Sequence, residues 1–415
     1  MEIFRLQSQN GQVISRILLL LLFVPACAFA QYPKPPEPSS QLDTLRAAGY
    51  EALYNLDYDA ARLRFTELAR LFPDHPAGPQ CIAATVWLQL LNQSWRLKAS
   101  LYNNEAYSGN REKIDRKLLE EFRNAIRQAK ALSETRLRKD PSDVEALYFL
   151  GAAEGLESAF AAGVERRFMA ALRSGSRSVD RHREVLKRDP EYRDAELTIG
   201  LYNYVVGSLP MALKIVAGTM GYKGSRKHGL ETLERVAKEG KWARDVARVL
   251  LVDLYKREKR WNDAAAMATD LSRRYPQNYL FKLQIADALS EQIAHADQQS
   301  VPAQQRVFDI YEDLLRDRAV TGAAGASDVI HYRYGETLLS AGQNDRALKE
   351  FLLVARRSSE VGLASMARLR AANALDLAGK RREALDEYRA VLIAPDIYNS
   401  HDEARRGLRE PYKLK

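Results

Sequence analysis

Cysteine is almost missing from this chain of 415 residues, which holds only Cys27 and Cys81. If Cys27 departs with a leader, no internal disulfide is available, and stability has to come from packing. Cys81 opens the apolar stretch Cys81 to Leu91 and reads as an inert core thiol. Metal-ligand spacing is missing too. The six histidines (His75, His182, His228, His295, His331 and His401) never stand four apart, and no H-E-x-x-H or paired-cysteine spacing occurs, so no metal is expected. There is no G-x-S-x-G elbow and no G-x-x-x-x-G-K-[ST] loop. Carboxylates abound, but adjacent ones such as Glu120 and Glu121 point about 100° apart on a helix and cannot share one site. These absences predict a protein that is not an enzyme and carries no cofactor.

Long hydrophobic runs are also scarce. Ile17 to Val24 is the apolar stretch of the N-terminus, about eight residues and too short to span a bilayer. Arg5 and Arg16 precede it, and Ala28-Phe29-Ala30 before Gln31 has the small-x-small form of a signal-peptidase site. Residues 1–30 are therefore expected to be a signal peptide, with the mature protein periplasmic or secreted. The alternative takes Val24-Pro25-Ala26-Cys27 as a lipoprotein box; acylated Cys27 would then tether an outer-membrane assembly factor, and membrane contact is expected only in that case. The whole chain carries a charge of +9, and loss of Arg5, Arg16 and Glu2 lowers it to +8. That excess is spread thinly, and no basic stretch is interleaved with aromatics, so a nucleic-acid partner is not expected.

What the chain does have is a repeated phase. Ten residues after Pro73, Pro141, Pro190 and Pro276 stand Ala83, Gly151, Gly200 and Ala286. Proline ends one helix, and the small residue lets a neighbouring backbone come close in the next. A second phase agrees: Ala61, Ala264, Ala347 and Ala384 are followed four residues later by Phe65, Ala268, Phe351 and Tyr388. Twelve residues before each lies Gly49, Val252, Gly335 or Ala372. The pattern resembles the tetratricopeptide repeat, a 34-residue helix-turn-helix unit. The resemblance implies an all-α solenoid of stacked hairpins in a right-handed superhelix. Apolar spacing of three to four residues predicts helix throughout and no strand.

Residues 31–41 read as a proline-rich linker, 42–291 as N-terminal and central repeats, 302–395 as C-terminal repeats, and 396–415 as a tail. A turn is expected at Tyr107-Ser108-Gly109-Asn110 and a seam near 292–302. Gly342 and Gly379 share one inter-helix turn position, where glycine tolerates a positive φ.

The middle departs from the repeat. A helix holding Gly200 stops at Ser208-Leu209-Pro210; a short apolar helix follows, inserted near 208–224, and Gly218, Gly221 and Gly224 then precede a helix starting after Ser225. Ser208, Leu209, Pro210, Gly221, Tyr222, Gly224, Gly229 and Leu230 together resemble the signature of the tetratricopeptide repeat protein 39 family. That resemblance implies a non-enzymatic adaptor in which this loop is part of the scaffold. The same loop suggests a candidate anion site, with Lys223, Arg226 and Lys227 around a helix start capped by Ser225. The remaining candidate surface is the groove lined by the first helix of each repeat. By register it presents Arg46, Tyr50, Tyr148, Asp253, Lys256, Tyr332, Glu336, Asn373 and Asp376 to a protein or peptide partner.

Overall fold

The computed structural model describes residues 40–93, 115–165, 167–209, 211–219, 221–295, 301–322, 325–396 and 399–413. The expected leader, Cys27, the proline-rich stretch up to residue 39 and the turn at Tyr107 to Asn110 lie outside them. Among the described residues every regular element is helical.

The helices pack as consecutive hairpins. Helix α1 (Gln41–Tyr54) pairs with α2 (Tyr58–Leu71), α3 (Ala77–Gln93) with α4 (Arg116–Lys139), and α5 (Val144–Gly163) with α6 (Phe168–Arg188). A 3₁₀ turn, Arg193–Ala195, leads into α7 (Glu196–Gly207); the short α8 (Met211–Thr219) follows, and α9 (Arg226–Glu239) returns to pack on α7. Then α10 (Arg244–Arg257) pairs with α11 (Trp261–Arg274), and α12 (Tyr279–Ala294) with α13 (Val301–Arg316). After the single turn α14 (Arg318–Thr321), α15 (Ala326–Ser340) pairs with α16 (Asn344–Arg357), α17 (Val361–Leu377) with α18 (Arg381–Ile393), and α19 (Ser400–Arg409) closes the file. First helices also touch the first helix of the next hairpin, as α12 does α15 and α15 does α17. This is the tetratricopeptide-type solenoid.

Local chemistry sets the ends. The side chains of Ser40, Asp57, Asp143 and Ser225 each accept a backbone N–H three residues on, satisfying a donor that the helix start leaves open. Four inter-helix turns share one geometry. Leu56, Lys259, Gly342 and Gly379 all have left-handed φ, between 58° and 74°. In each, the next N–H (Asp57, Arg260, Gln343, Lys380) bonds the carbonyl five residues back. The turn before α11 thus falls on Glu258 to Arg260.

The two sequence phases meet in the core. Ala61, Ala83, Ala264, Ala286, Ala347 and Ala384 are fully buried. At Gly335 a Cβ would stand 2.7 Å from the ring of Phe351, and at Gly49 2.3 Å from that of Phe65; the glycine is the notch into which the aromatic packs. The C-terminal buried cluster takes in Tyr279 and Ala286 of α12, Val307 and Tyr311 of α13, and Ala404 of α19. There Gly407 lies against Tyr388, and Arg381 donates to the carbonyls of Gly407 and Leu408.

Candidate functional site

The surface formed by the first helices divides into two halves of different character. In the first half it is filled by the protein itself. Arg46 on α1 is 4% exposed, and its guanidinium carbon sits 4.4 Å from the Trp242 ring centroid, 5.3 Å from Phe149 and 5.9 Å from Tyr50. A cation among ring faces is held by their negative quadrupoles, about 2 kcal/mol when desolvated. Tyr54 packs on Tyr275 at 5.0 Å and Tyr148 on Tyr192 at 4.9 Å. Burial pushes the phenols of Tyr50, Tyr54 and Tyr148 up, so they stay neutral throughout the physiological range. Polar ties fix the same contact. Lys241 Nζ lies 2.9 Å from Asp43, Asn278 donates to the Tyr54 carbonyl at 2.7 Å, and the Gln277 N–H donates to Asn55.

Asp194 supports this arrangement from behind. Its carboxylate accepts the N–H groups of Lys241, Trp242 and Ala243 at 2.7 to 3.1 Å, fixing the loop that carries Trp242 just before α10. Of the nine expected groove residues, Arg46 and Tyr148 are buried in this half, and Tyr50 is half-buried against Phe65 and Trp242. The sequence pattern expects them on a partner face; instead Trp242, from far along the chain, packs on Arg46 and Tyr50, and Tyr192 packs on Tyr148.

The second half is lined differently. An alternating ladder of charge crosses four helices. Asp287 on α12 accepts from Arg333 Nε at 3.0 Å and from Tyr311 at 3.1 Å. Arg333 on α15 also donates to Glu336 at 2.7 Å, and Arg370 on α17 donates to Glu336 at 3.3 Å and reaches Glu403 on α19 at 3.9 Å. Beside the ladder lies a cavity of about 250 Å³ lined by Ser290, Glu291, Phe308, Arg333, Glu336 and Thr337. It is smaller than a usual small-molecule pocket and suits one or two polar side chains.

The other expected residues are distributed around this ladder. Glu336 is a member. Tyr332 is fully buried and donates to Glu336 at 3.2 Å. Asn373 accepts from Tyr388 at 2.8 Å, and Asp376 accepts from Arg381, Tyr388 and the Tyr412 N–H. These four tie helices together. Asp253 is 61% exposed and pairs with Lys256 at 3.2 Å. Lys256 also donates to Gln284.

The expected anion site is only partly assembled. Ser225 caps α9 by accepting from His228 N–H, Arg226 pairs with Glu258 at 3.2 Å, Lys227 reaches Glu231 at 4.0 Å, and Lys223 is exposed. Sequence reasoning missed Asp287, Arg333, Arg370 and Glu403. One signal was available. Asp287 follows the small Ala286 just as Glu336 follows Gly335 and Asn373 follows Ala372. Among the described residues no group of three His, Cys, Asp or Glu is placed to hold a metal, and no helix is long and apolar enough to cross a membrane.

No family model matches the chain, and no curated protein does. Solved structures do. Yeast Tom70 is similar with 10% identity and a TM-score of 0.38, over 89% of this chain and 88% of that one. The human IFIT1 dimer with m7Gppp-AAAA is similar with 12% identity and a TM-score of 0.42, over 92% and 86%. A monomeric IFIT1 mutant with Gppp-AAAA reaches 0.43, also with 12% identity, over 92% of this chain and 88% of that one. The fold is read from the hairpin geometry of the chain itself.

Proposed function

We propose that this protein is an exported, non-enzymatic scaffold of the cell envelope that holds a protein partner along the first-helix face of its last hairpins. The observation that carries this reading is the contrast between the two halves. One is filled by α1, whereas the other keeps the Asp287–Arg333–Glu336–Arg370 ladder beside a cavity with the hydroxyls of Ser290, Thr337 and Ser340. Charge on that face is nearly balanced, which favours hydrogen bonding to a peptide over neutralising a phosphate backbone. The likeness of 208–230 to the tetratricopeptide repeat protein 39 family supports the adaptor reading. Export rests on the leader, and the mature N-terminus separates the two forms. A chain starting at Gln31 supports a released protein, and a diacylated Cys27 supports the tethered one.

The partner face is tested with a photo-crosslinker placed at Glu291 or Ser340 in the full chain, using Leu63 on the exposed side of α2 as control. Adducts concentrated at Glu291 and Ser340 are expected. Equal yields from Leu63 would overturn the assignment.

A further inference from the structure

Helices α7 and α9 are pressed together backbone to backbone. A Cβ at Gly207 would lie 2.3 Å from the Arg226 nitrogen, and one at Gly229 2.4 Å from the Tyr204 nitrogen. The chain between them has no room in that contact and is extruded as α8. Ala217 of this excursion is buried, but its other side is open: nothing lies within 4 Å of where a Cβ would be at Gly218 or Gly221. Two large apolar side chains, one helical turn apart and therefore on one face, project from it. Met211 is 73% exposed and Ile215 62%. Exposed apolar side chains on a protruding helix cost solvation free energy unless something covers them.

The charge around them has one sign. Between Glu196 and Glu231 the sequence has no Asp or Glu, while it holds Lys214, Lys223, Arg226 and Lys227. Arg226 is engaged by Glu258, and Lys227 approaches Glu231. Lys214 and Lys223 are exposed, and among the described residues no carboxylate pairs with either. A convex apolar tip ringed by unpaired lysines is shaped for a flat, deformable, anionic surface rather than for a partner's groove. We propose that α8 inserts Met211 and Ile215 into the interfacial region of an anionic phospholipid bilayer, while Lys214 and Lys223 meet the headgroup phosphates. This contact is independent of Cys27 and docks the solenoid by its fourth hairpin.

The test is co-sedimentation of the full chain carrying Cys27→Ser, which removes any acyl anchor, with phosphatidylglycerol/phosphatidylcholine vesicles and with phosphatidylcholine alone. Binding to the anionic vesicles only is expected, weakened at least tenfold by Met211→Ser/Ile215→Ser and about 30-fold by Lys214→Gln/Lys223→Gln, near fivefold for each lysine. All four side chains are exposed, so the melting curves of the variants should coincide with the parent and exclude misfolding as the cause of lost binding. Equal binding to neutral vesicles, retention of binding in the Met211/Ile215 variant, or no binding by the parent would each overturn the proposal. Concentration-dependent self-association abolished by Met211→Ser/Ile215→Ser would also overturn it, by making a second copy the occupant.

Discussion

His182 shows how one side chain couples this fold to pH. It is 1% exposed, its Nε2 meets the Tyr148 carbonyl at 3.1 Å, and it fills the notch at Gly151. Burial pulls its pKa down to about 4 from an ordinary 6.5. Below pH 6.5 the unfolded chain takes up a proton that the folded chain refuses. Its contribution to stability is thus complete above pH 6.5 and is lost as pH falls towards 4, by roughly 3 kcal/mol in total. Urea midpoints at pH 7 and pH 4.5 check this. His182→Phe, which places the aromatic used at Gly49 and Gly335 in the same kind of notch, should flatten that part of the pH dependence. Lys259 makes a second residue-scale case. It is exposed yet holds a φ of 58°, where a side chain costs about 1 kcal/mol and glycine almost nothing. Lys259→Gly should therefore raise the denaturation midpoint, as Gly342 and Gly379 already do for their turns. A lower midpoint would mean that the turn is not strained.

At the scale of elements, the contact that decides the middle of the molecule is α7 on α9. Their backbones touch through glycine, and that intimacy forces α8 outward. Gly229→Ala puts a methyl group 2.4 Å from the Tyr204 nitrogen, so the two helices must separate. Overpacking of this kind costs about 1–3 kcal/mol, and here the neighbour is backbone, which cannot change rotamer to make room. Thermal unfolding of Gly229→Ala should move down by several degrees. Gly218→Ala, where nothing lies near, should not move it through packing. The glycines of this segment carry different roles that look identical in sequence. Gly207, Gly224 and Gly229 make room for backbone, whereas Gly221 supplies a φ of +83°.

At the scale of the whole molecule, α1 is a lock. It belongs to the first hairpin by sequence, yet its inner face is held by residues from Tyr148 to Asn278. Asn278→Ala would leave the Tyr54 carbonyl buried without its donor, a loss of about 1–2 kcal/mol. Amide exchange across 41–54 should then quicken on the order of tenfold, while α15 and α17 keep their protection. Equal quickening of both regions would indicate global destabilisation instead of local release.

Helical period, hairpin unit and the places where helices touch are all legible in the order of residues. Those are properties of neighbours within about 40 residues: a proline that stops a helix, a small residue ten positions on, an aromatic four after an alanine. The register of the first helices was legible too: Glu336 follows Gly335 as Asn373 follows Ala372. Which inward-facing residues end up covered depends on contacts between distant hairpins. The register also places Arg46, Tyr50 and Tyr148 inward, but Trp242 arrives from far along the chain against Arg46 and Tyr50, and Tyr192 packs on Tyr148. Periodicity reports the direction in which a side chain points. The accumulated rotation of several hairpins sets what it meets there, and no local pattern of residues carries that sum.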